Sequence, residues 1–152
     1  MARTRTLPES CKTVVLLHQV SDGSSHYDWL IDVPSDDYDQ AAWAAHPPER
    51  IPTFRLDIDP LSSAGVPPWA PAFRAERLGD HRRHYLSYEG PVSGGRGTVV
   101  RVNSGRVLAM RDGPGRLIAV IQTERAGAVE YTGHADGRAW RFECVPVEPA
   151  AQ

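Results

Sequence analysis

Lysine is nearly missing from this chain: Lys12 is the only one among 17 basic residues, and the rest are arginine. Arginine presents a planar fork suited to bidentate phosphate contacts, although genome composition alone produces the same bias. Cysteine is scarce too. Cys11 and Cys144 stand near opposite ends, without the close spacing of a zinc site. They suit a reducing cytoplasm, with a single end-to-end disulfide as the alternative. No apolar run is long enough to span a bilayer, and MARTRTLPES has no apolar stretch of the kind a secretory signal needs. The expectation is a cytoplasmic protein with no membrane partner. Also absent are a P-loop, a GxGxxG after a strand, a nucleophile elbow and a CxxC pair.

What is present is unevenly placed. The net charge of −2 argues against indiscriminate nucleic-acid binding. Between residues 20 and 60, however, nine acids face only Arg50 and Arg55, whereas nine arginines between 74 and 116 face four acids. A basic, phosphate-facing surface beside a metal-attracting acidic region is consistent with that split.

At 152 residues the chain has the length of one domain. Residues 1–12 read as a flexible arm, 13–147 as the domain and 148–152 as a disordered tail. Thr13–Val20 is a short β-branched apolar run, hence a buried strand. After a polar turn, Tyr27, Trp29, Ile31 and Val33 alternate with His26, Asp28, Leu30 and Asp32, which predicts a hairpin with one polar inner face. The AAWAA stretch before Pro47 predicts a helical turn or two. Residues 52–58 alternate again, and Pro71–Leu78 reads as a short helix opened by proline. Short strands are expected near 84–88, 97–102, 106–111, 116–123, 128–132 and 138–145, separated by glycine-bearing turns. That spacing predicts an all-β barrel or sandwich with one or two short helices.

Within this frame His18, His26 and Asp28 form a set of two imidazoles and one carboxylate. Such sets suit manganese, iron or zinc with positions left open for water and a phosphoryl oxygen. The plainer reading is a hairpin carrying a His–Asp hydrogen bond. His81 and Tyr85 offer a second imidazole and a phenol near a run of arginines. His46 and His134 read as loop residues. Of the tryptophans, which can stack on bases, Trp140 reads as core and Trp69 as a surface plug, with Trp29 and Trp43 left open.

Two motifs together resemble a known family, the 3′-phosphoesterase domain found at the N-terminus of bacterial DNA ligase D and as free-standing proteins. The first is His18 followed, after a polar turn, by His26-Tyr27-Asp28. The second is Asp80-His81, Tyr85 and Glu89-Gly90, then a glycine-rich turn and Gly97-Thr98-Val99. The match covers roughly residues 14–30 and 79–105. It implies a small closed or partly open β-barrel of about eight strands that trims 3′-phosphates and 3′-terminal ribonucleotides in DNA repair.

By the same resemblance His18, His26 and Asp28 become ligands for manganese, with zinc or another transition metal as alternatives. His81 and Tyr85 address the scissile phosphate. The implied partners are a nucleic-acid 3′ end and a ligase or polymerase, with the chain itself a monomer. The chain departs from the pattern at Leu30, where the family carries a phosphate-holding arginine. Arg55, Arg74, Arg77 and Arg82 are the candidates to replace it, with Arg83 beside them. If none does, the expectation shifts to a barrel that keeps the metal and acts as a nucleic-acid or protein-binding module.

Overall fold

The computed structural model describes residues 11–33, 49–61, 72–123 and 127–147. The expected AAWAA helix, residues 1–10 and 148–152, His46, Trp43 and Trp69 lie outside them; of the expected arm over 1–12, Cys11 is buried and Lys12 opens the first strand. In chain order the strands are β1 (Lys12–Gln19), β2 (Ser25–Ile31), β3 (Arg50–Ile51), β4 (Thr53–Leu56), β5 (Ala72–Arg77) and β6 (His81–Arg82). A 3-10 turn over Arg83–Leu86 follows, then β7 (Gly90–Pro91), β8 (Thr98–Gly113), β9 (Arg116–Thr123), β10 (Gly127–Asp136) and β11 (Ala139–Pro146).

The sheet runs β1-β2-β4-β5-β11-β10-β9-β8 and closes through β8 onto β1, giving an eight-stranded antiparallel barrel with β7 as an extra strand on β8. The expected all-β barrel is thus what forms. Closure leaves the barrel without an open edge. β3 and β6 pair separately. No helix among the described residues is long and apolar enough to cross a membrane.

The interior is aromatic. Trp29 is fully buried, with ring centroids 5.2 Å from both Tyr131 and Phe142, so it packs the core and is not open to bases. Its indole N–H donates to Thr13 Oγ1 at 2.8 Å, and that hydroxyl donates to Leu30 O at 2.7 Å, so the buried polar atoms are satisfied. Truncating such a residue to alanine costs roughly 3–5 kcal/mol. Trp140 joins the same core, as expected. Cys11 and Cys144 are both free and buried, and burial pushes each thiol up to about 12. The alternative of an end-to-end disulfide is therefore not realised.

Several local expectations change. Residues 72–77 form a strand in place of the expected helix, because Phe73 and Ala75 turn inward while β4 and β11 supply backbone partners on either side. Residues 84–88 are not a strand; the 3-10 turn occupies most of them. The two strands expected at 97–102 and 106–111 are one long β8, which pairs with β1 and then passes to β9. Gly105 allows this handover, since a Cβ there would lie 2.9 Å from Ile121 Cγ2 and 3.0 Å from Gln122 O. The 52–58 strand is shortened to β4, with β3 ahead of Pro52. His134 lies on β10 instead of in a turn.

The strand parity of β2 holds, but its polar face is the outer face of the barrel. Tyr27, Trp29, Ile31 and Val33 belong with the interior core. Leu30 belongs to a second cluster, with Val14, Leu16, Ile51, Leu86 and Val99. That cluster lies under a cover made by β3, β6, the 3-10 turn and β7.

Candidate metal and phosphate site

The antiparallel register of β1 and β2 sets His18 directly opposite His26, and Leu16 opposite Asp28. All of these side chains fall on the outer face. The potential ligand atoms of His18, His26 and Asp28 lie within 4.8 Å of one another. Two ligands held at about 2.1 Å from an ion can be no more than about 4.2 Å apart. Binding an ion would therefore draw the groups together by roughly half an ångström, which side-chain rotation supplies.

Each imidazole stands against one oxygen of Asp28. His18 Nε2 lies 2.8 Å from the main-chain oxygen of Arg96. A carbonyl can only accept, so Nε2 carries a proton, and this contact turns Nδ1 toward Asp28 Oδ2, 3.3 Å away. His26 Nε2 stands 3.0 Å from Asp28 Oδ1, yet that oxygen has no partner in hydrogen-bonding geometry, and neither does the buried His26 Nδ1. Leaving a buried polar atom unpaired costs about 1–3 kcal/mol, a cost that a shared cation would offset at the carboxylate oxygen. Burial is the main cause of a lowered His26 pKa; Asp28 opposes it, while Arg55 and His18 add to it. That shift favours the neutral ring, the form a metal ion needs. On this chemistry the three residues fit a divalent metal.

The cover brings the other half. His81 and Arg82 pair with Ile51 and Arg50 across β6 and β3. Arg83 then closes a bidentate ion pair on the fully buried Asp32, with Nε to Oδ1 at 3.2 Å and Nη2 to Oδ2 at 2.9 Å. A cavity of about 610 Å³ opens between cover and barrel. His18, Asp28, His81 and Tyr85 line it, together with the guanidinium-bearing residues Arg50, Arg82 and Arg96. His81 Nδ1 lies 2.9 Å from Gly79 O and so donates to it, which leaves Nε2 free to exchange a proton.

No family model matches the chain, and no curated protein matches it. The likeness of the two motifs to the 3′-phosphoesterase domain rests on the residues themselves.

Of the four arginines expected near the phosphate, the structure puts only Arg82 on the cavity wall. Arg55 is exposed on β4, beside Asp28 in register but outside the lining. Arg74 is exposed on β5 opposite Arg141. Arg77 is engaged elsewhere: it pairs with Asp112 at 2.8 Å and Asp80 at 3.5 Å, and its guanidinium lies over Phe54 and Trp140. Arg50 and Arg96, which were not singled out in the sequence, take the remaining places. Arg96 could have been found in the glycine-rich turn after Glu89-Gly90, which the second motif contains; Arg50 carries no local signal.

Proposed function

We propose that this protein is a metal-dependent phosphoesterase acting at the 3′ ends of DNA or RNA in repair, removing a 3′-phosphate or a 3′-terminal ribonucleotide. The observation that carries this reading is the cavity wall, where His18 and Asp28 of the candidate ligand set, with His26 beside them outside the lining, meet a histidine, a phenol and three arginines. Arg50, Arg82 and Arg96 neutralise the phosphate oxygens and orient the group, the part assigned to an arginine where Leu30 stands. His81 Nε2 exchanges a proton with the attacking water or the leaving oxygen, and Tyr85 donates a hydrogen bond to the phosphate. A divalent ion on His18, His26 and Asp28, manganese first and zinc or another transition metal after it, would polarise a phosphoryl oxygen and acidify water. A ligase or polymerase is the partner that would use the cleaned end.

The second reading is a binding module without turnover, favoured by the burial of Leu30. Calorimetric titration with manganese comes first: saturable binding that is lost in His26→Ala is expected, and no binding by the wild type removes both readings. A 3′-phosphate-ended primer with manganese then separates them. Phosphate release well above a His81→Ala control is expected of the esterase; metal binding without release leaves the module.

A further inference from the structure

His84 takes no part in the ligand set or the cavity wall, yet it belongs to a cluster of rings. Its imidazole lies 4.9 Å from the Tyr88 ring at an interplanar angle of 37°, and 5.3 Å from the Tyr85 ring at 64°. Tyr88 is fixed from behind, because its hydroxyl donates to Pro91 O. Tyr85 and Tyr88 both pack on the outer apolar cluster. His84 itself is exposed. The guanidinium of Arg82 stands over Tyr85 at 5.8 Å. An exposed flat ring, backed by a second ring whose position is fixed, thus stands one ring beyond the cavity wall.

Solvent gains nothing from such an arrangement, whereas a planar ligand gains much. Bases stack on aromatic side chains without regard to sequence, and a preordered platform loses little entropy when it is covered. Arg82 over the Tyr85 ring, with Arg50 and Arg96 elsewhere on the cavity wall, matches the charge of the attached phosphate. We infer that the His84 ring, backed by Tyr88 and flanked by Tyr85 and Arg82, is a stacking platform for the nucleobase of the nucleoside whose phosphate enters the cavity. The inference rests on the phosphoesterase reading and narrows its substrate to base-bearing ends.

The test uses equilibrium binding in manganese to oligonucleotides ending in a non-hydrolysable 3′-phosphonate. One ends in 2-aminopurine, whose fluorescence is quenched by stacking; the other ends in an abasic nucleoside. The wild type quenches the fluorescence and binds the base-bearing end about tenfold more tightly than the abasic one, as one base–aromatic stack provides. His84→Ala loses both the quenching and the preference, and His84→Phe keeps both. Affinity for inorganic phosphate is the same in all three proteins. Unchanged quenching in His84→Ala, or equal binding of the two ends by the wild type while phosphate still binds, overturns the platform alone. Failure of the wild type to bind either phosphate or the phosphonate ends overturns the phosphoesterase reading and the platform with it.

Discussion

His18 is oriented by the main chain of Arg96, whose carbonyl oxygen accepts the Nε2 proton at 2.8 Å and leaves Nδ1 facing Asp28. The turn that brings this carbonyl in lies hard against the end of β1. Gly97 has a φ of +99°, and a Cβ there would meet Gln19 O at 1.9 Å and Val20 Cα at 2.9 Å.

Gly97→Ala must therefore move the turn and free His18. Losing a partner that orients a metal ligand weakens binding about 10- to 100-fold, and manganese titration of the folded variant reads this directly. Arg96→Ala is the control. It keeps the carbonyl, so its metal affinity stays near the wild-type value while phosphate binding weakens.

The pH dependence follows from His26. Burial lowers its pKa in the folded state below the ordinary 6.5, so the unfolded chain binds the proton more readily. The stability this contributes is complete above that ordinary value and is lost as pH falls through the folded one. Thermal midpoints measured in metal-free buffer should drop across this acid range in the wild type, and the drop should be smaller in His26→Gln. Manganese affinity should weaken over the same range, since proton and metal compete for the ring.

Arg83 and Asp32 tie the cover to the strand that bears the ligands. Asp32 is 0 % exposed and Arg83 26 % exposed, so Arg83→Met strands a buried carboxylate and costs about 3 kcal/mol in denaturant unfolding. Pairing it with Asp32→Leu recovers most of that loss. Burial raises the Asp32 pKa even with Arg83 present. Its protonated form therefore favours folding, and that contribution is lost as pH rises. Arg83→Met should accordingly lose less stability in acid than at neutral pH.

Leu30→Arg tests whether the family's arginine can simply be restored. Leu30 is fully buried among Val14, Leu16, Ile51 and Leu86, and of the two acids that flank it on the same face Asp32 is already held by Arg83 and Asp28 stands against His18 and His26. The expected outcome is a loss of about 3–5 kcal/mol, that of an uncompensated buried charge, with no gain in phosphate release. A stable Leu30→Arg protein with faster release would show that the side chain reaches the cavity.

The candidate ligand set was legible because it is local. His18, His26 and Asp28 sit on one hairpin, where period-two alternation and a short turn determine which side chains share a face. Alternation alone could not tell which face is the barrel's inside. That depended on closure of β8 onto β1, a pairing about 85 residues apart in sequence. Residues 72–77 misled for a related reason: a proline-led polar segment reads as helix until strands on both sides offer it hydrogen bonds.

By itself the sequence determined the all-β class and pointed to three clustered metal-ligand candidates and, through the second motif, to His81 and Tyr85, which the structure places on the cavity wall. Only the tertiary structure decided where positive charge meets them. Arg50 and Arg96 reach the cavity because the β3–β6 pairing and the Gly97 turn fold the cover back over the barrel wall. Of the four arginines expected there from sequence, only Arg82 lines the cavity; Arg55 and Arg74 are exposed on β4 and β5, and Arg77 is taken up by Asp112. Backbone pairing and local geometry are written into neighbouring residues. The position of a long, flexible, charged side chain is set by whatever distant strand happens to lie beside it.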